Sequence, residues 1–180
     1  WMLAQRVGSR QHTSNLRRHM PTLHLTNGDA AATSLSLSGL AGSILPWRDV
    51  LHDGPVPPDG DRSAFNLARG AFLAGSGWTT AEAVAADLAA RDAQLDAVQV
   101  GDELVLWFEP DLYDQLQLMQ VLSRMAARDS AMRPRISIVP ADCYLGPLDP
   151  ASMPALYGAR RLLSDDDIVA APSAWSAFTA

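Results

Sequence analysis

Apolar positions along this chain come in short runs that alternate with amphipathic stretches. Leu23–Leu25 is a brief apolar run after Pro21, and Thr26-Asn27-Gly28-Asp29 stops it. Small residues with Leu35 and Leu37 follow, and Gly39 and Gly42 break the stretch. This pattern predicts strand, turn and helix. Ser43–Leu45, closed by Pro46, predicts a second strand. Phe65, Leu67, Ala68, Ala71 and Phe72 recur at helical spacing until Gly75-Ser76-Gly77. Thr79-x-x-Glu82 reads as a capping box that opens an alanine-rich helix, with Val84, Leu88, Leu95 and Val98 on one face.

Glu103–Phe108 is the most continuous apolar run, as expected of a central strand covered on both sides. Glu109-Pro110-Asp111 ends it, and a helix follows with Leu112, Leu116, Met119, Val121, Leu122 and Met125. Arg135–Val139, between Pro134 and Pro140, predicts a fourth strand. Asp149-Pro150 starts another helix, and Ser164 with three aspartates opens a last one. Strands alternating with helices predict an α/β fold. We expect three layers, with a mostly parallel sheet of about four strands and helices on both faces, Rossmann-like in outline.

The first nineteen residues lie outside this pattern. They carry Arg6, Arg10, Arg17 and Arg18, no acid and no apolar periodicity, and Met20 reads like a natural start. We expect residues 1–19 to be a disordered extension that is not part of the fold, and 20–180 to form one α/β domain. The last helix meets no stop signal before residue 180, so the natural domain is expected to continue.

Charge narrows the function classes. All fourteen basic residues are arginine, and the chain is −6 overall, which leaves −10 on residues 20–180. An acidic body argues against binding nucleic acid through its phosphates and suits cations. No apolar run reaches the roughly 20 residues that span a bilayer. The single cysteine, Cys143, allows no internal disulfide, in keeping with a cytoplasmic protein.

In open parallel sheets, ligands bind beyond the carboxyl ends of the strands, where strand order reverses. Three polar segments fall there. Thr26, Asn27, Gly28 and Asp29 form a turn whose glycine lets a ligand approach the backbone; a plain turn with Asp29 as a cap is the alternative. The long segment 46–61 holds Trp47 and Arg48, suited to clamping an anion, with Asp49 and His52 as candidates for proton transfer. A structural loop with Arg48 paired to an acid explains it equally well. After the central strand come Glu109, Asp111, Tyr113, Asp114 and Gln115. Glu109, Asp111 and Asp114 offer the hard oxygen donors that Mg²⁺ prefers, and Glu109 is also a candidate catalytic carboxylate; Tyr113 and Gln115 are candidate ligand contacts. Helix capping accounts for Asp111 and Asp114 alone. No glycine-rich nucleotide loop and no nucleophile elbow occurs. His24, inside a strand, reads as a core histidine.

T-N-G-D-A-A at 26–31, P-W-R-D-V-L-H-D-G-P-V-P at 46–57 and L-W-F-E-P-D-L-Y-D-Q-L-Q-L at 106–118 resemble the bacterial family called domain of unknown function 1835, over roughly residues 20–180. The resemblance implies a small cytoplasmic protein whose relatives continue into a further helical region. It supplies no catalytic residues. The residues themselves point to a metal-assisted enzyme acting on a nucleotide or other phosphorylated small molecule. The alternative is a non-catalytic module that senses a small ligand or docks a protein.

Overall fold

The computed structural model describes residues 21–58, 60–77 and 79–180. The expectation for residues 1–19 lies outside the described residues. Four parallel strands form the sheet: β1 (Thr22–Thr26), β2 (Ser43–Pro46), β3 (Glu103–Trp107) and β4 (Arg135–Ile138). A fifth, β5 (Arg161–Leu162), joins antiparallel at the edge, giving the order β2-β1-β3-β4-β5. The sequence pattern does not predict β5, because two exposed residues carry no apolar alternation.

The helices are α1 (Asp29–Leu37), α2 (Arg62–Gly75), α3 (Ala81–Asp96), α4 (Leu112–Ala126), α5 (Met153–Gly158), α6 (Asp165–Val169) and α7 (Ala171–Phe178). The cap of α3 is Thr80 rather than Thr79: its hydroxyl accepts from the Ala83 amide at 3.3 Å. The single last helix expected after Ser164 is two, divided at Ala170, with Pro172 in the first turn of the second. None of the helices described is long and apolar enough to cross a membrane.

Alternation along the strands sorts side chains into two cores. Leu23, Leu25, Leu104, Leu106 and Ile136 pack with Leu95 of α3 and Val121 and Met125 of α4. On the other face Val105 and Trp107 pack with Ala31 and Leu35 of α1 and Met153 of α5. β3 is buried along its whole length, as its apolar run requires. Sequence order reverses between β1 and β3. Their chains leave the sheet on opposite faces there, into α1 and α4.

Candidate functional site

The exits of β1 and β3 are tied together by Asp114. Asn27, just past β1, donates from Nδ2 to Asp114 Oδ1 at 2.7 Å, and the Glu109 amide donates to Asp114 Oδ2 at 2.6 Å. Asp111 caps α4 by accepting the Asp114 amide at 2.9 Å. Glu109, almost fully buried, accepts the Leu145 amide at 2.7 Å and so anchors the loop after β4. One oxygen each of Glu109, Asp111 and Asp114 lies within 4.8 Å of the others. Among the described residues no arginine or histidine makes an ion pair with any of the three.

Crowding and burial show in the acidities. Burial, with Glu109 and Asp111 adding repulsion, pushes the Asp114 carboxyl up to about 6 against the hydrogen bonds from Glu109 and Asn27. Burial raises Glu109 as well. A hard cation held by oxygen donors such as these would neutralise the excess charge.

Beside them a cleft of about 350 Å³ is lined by Glu109, Pro110, Asp111, Asp142, Cys143 and Tyr144. The last three follow the fourth strand, at the carboxyl end of the sheet, where the sequence already places polar residues beyond each strand. What brings them in is the Glu109–Leu145 bond, a contact across 36 residues that no local pattern encodes. Gly146 lies against α1, where an added Cβ would come 2.9 Å from that of Ala30, and Ser34 donates to the Gly146 carbonyl at 2.9 Å. The loop is therefore held both to α1 and to Glu109 at the exit of β3.

The 46–61 segment divides. His52 is exposed, and its ring centroid lies 5.3 Å from that of Tyr113, which places it at the same edge. Arg48 reaches the turn at 27–29 from the β2 side and grips Asp29 with Nε and Nη2, at 2.9 and 2.7 Å. Among the described residues, none is hydrogen-bonded to its Nη1. Gly28 gives α1 no side-chain cap, so the first amides of that helix meet no side-chain acceptor.

Trp47 and Asp49 do not join the cleft. Trp47 is fully buried, donates to Gln120 Oε1 at 2.9 Å and carries the Arg91 guanidinium 3.8 Å over its ring. Asp49 is fully buried in an ion pair with Arg69 at 2.6 Å. Arg69 also donates to the carbonyls of Val50, Asp53 and Pro55, so the pair folds the loop rather than facing a substrate. Thr26 is buried, with its hydroxyl on the Gly28 carbonyl, and Gln115 donates to the Glu109 carbonyl at 2.8 Å. Both shape the strand exits from within. Arg69 is the residue that sequence reasoning overlooks. Its charge inside an apolar helical face, between Phe65 and Phe72, is the available signal.

Compared with protein-family models, with curated proteins and with solved structures, the chain returned no match in any of the three.

Proposed function

We propose that this protein is a metal-assisted enzyme acting on a phosphorylated small molecule, of nucleotide size or smaller, at the carboxyl edge of its sheet. The observation that carries this is the unneutralised trio Glu109, Asp111 and Asp114 at the point where strand order reverses. Glu109 and Asp111 line the cleft and would hold Mg²⁺ together with waters and substrate phosphate, the usual way this ion is bound. Asp114 supports them from behind. Arg48 Nη1 and the uncapped start of α1 offer the complementary anion contacts. His52 supplies an exposed imidazole for proton transfer, with Tyr113 against its ring. A cytoplasmic setting and kinship with the domain of unknown function 1835 family belong to the same proposal, and the three sequence motifs are what support them.

The test is binding of Mn²⁺ followed by electron paramagnetic resonance, with a thermal-shift panel of Mg²⁺, pyrophosphate and nucleoside phosphates. Binding of Mn²⁺ that is lost in Asp111→Asn, and a melting-temperature rise that needs metal and phosphate together, are expected. Turnover of one of the panel compounds completes the assignment, and binding without turnover turns it into a sensor. The absence of any metal response refutes it.

A further inference from the structure

On the sheet face away from α4, one histidine sits in a hydrogen-bonding frame that has no room for a second proton. His24, in the middle of β1, is almost fully buried. Trp107 Nε1 can only donate, and it lies 3.1 Å from His24 Nδ1. The Ala41 carbonyl can only accept, and it lies 3.2 Å from His24 Nε2. These two partners fix the neutral tautomer with its proton on Nε2. Tyr157 of α5 closes the frame, edge-on to His24 at 5.6 Å and stacked on Trp107 at 6.4 Å. Gly42 closes another side: its φ is +140°, and an added Cβ would lie 2.8 Å from the imidazole.

We propose that His24 is a pH latch, whose protonation frees α5 and the loop of residues 140–149 from the sheet. A proton on Nδ1 would point at the Trp107 N–H, donor against donor, inside a packed core. The ring must then turn, and Tyr157 stands in its way. α5 is the element that yields: it has six residues, of which Met153 alone is fully buried, whereas β1 and β3 are held on both sides.

The charged groups around the ring are few. Glu103 of β3 favours the protonated form. Arg160, just past α5, opposes it, and its guanidinium is occupied by Glu103 at 2.9 Å and by the Tyr157 ring at 3.8 Å. Tyr157 is the remaining titratable neighbour. α1 brings only Asp29, paired with Arg48 at its start, and β2 brings no charge. Burial outweighs Glu103 and holds the imidazole below its ordinary value of 6.5. Folded chains thus keep His24 neutral, whereas unfolded chains take up the proton. The docked state loses stability as pH falls below 6.5, and keeps it above.

The loop carries Tyr144 and Cys143 over the cleft and is pinned to Glu109 through Leu145. Releasing α5 loosens one wall of the candidate site. The latch itself does not depend on what that cleft binds, and its test reads structure alone.

The experiment is a pH titration of the full chain by NMR, with long-range ¹H–¹⁵N spectra of the histidine rings and amide hydrogen exchange. Near pH 7.5 His24 should show an unprotonated Nδ1 and a protonated Nε2. As it titrates below pH 6.5, amides of residues 141–158 should lose protection together, while those of Leu104–Leu106 keep theirs. In His24→Gln, which retains a donor and an acceptor without a titrating group, that loss should disappear. Should the variant fail to fold, Trp107→Phe serves: without the indole N–H, His24 should titrate nearer its ordinary value. Titration of His24 in the wild type without any change in residues 141–158 overturns the proposal. So does loss of protection that persists in His24→Gln.

Discussion

Replacing Asp114 by asparagine should remove the pH trend that this carboxylate imposes on stability. Asp114 has no exposed surface and titrates near 6 rather than at its ordinary 3.8. Its pKa is raised in the fold, so between 3.8 and 6 the folded state holds a proton that the unfolded chain has released. The contribution to stability is therefore present at low pH and is lost as pH rises through 6. Integrated between pH 5 and 7.5, the loss is about 1.4 kcal/mol, a tenfold change in proton affinity being worth about 1.36 kcal/mol.

Asparagine does not titrate. It keeps an acceptor for Asn27 or for the Glu109 amide but not for both, at a cost of roughly 1.5–3 kcal/mol for a hydrogen bond to a charged group. Urea unfolding of both chains at half-unit steps from pH 5 to 7.5 gives the difference directly. Wild type should lead Asp114→Asn by about 1.4 kcal/mol more at pH 5 than at pH 7.5. A constant difference, or a wild-type lead that grows with pH, would show that Asp114 titrates as an ordinary carboxylate and would undo the electrostatic account of the trio. Saturating Mg²⁺ should flatten the wild-type curve, since a bound cation holds Asp114 ionised throughout.

Truncating Arg69 to leucine strands the Asp49 carboxylate inside the protein and should cost about 3–5 kcal/mol by denaturant unfolding; a loss below about 1 kcal/mol would mean that water reaches Asp49. Arg48→Ala breaks a pair whose side chains are 50% and 67% exposed, so its stability should change by less than about 1 kcal/mol. The same variant should weaken the melting-temperature response to Mg²⁺ with pyrophosphate. An undiminished response removes Arg48 from the site.

What is legible in the sequence comes from local rules. Pro46, Pro134 and Pro140 and the glycines at 39, 42 and 101 punctuate the chain where elements end, because backbone conformation is decided within a few residues. The continuous apolar run of β3 marks a central strand, and its polar exit marks a site, since a parallel sheet must expose its strand ends. Acids at 109, 111 and 114 are placed together by one strand exit and one helix turn.

Other features depend on partners far along the chain. Arg69 finds Asp49 across 20 residues, Glu109 meets Leu145 across 36, and Asn27 reaches Asp114 across 87. Whether Asp49 faces a ligand or a buried guanidinium is set by where α2 lies against the loop, and no spacing within the loop records that. Strand order is equally hidden, because several orders satisfy the same right-handed crossovers. The sequence by itself determined the four parallel strands, most of the helices, the fold class and the acidic strand exit. Only the tertiary structure decided which polar groups share that exit, and which are consumed in holding the fold.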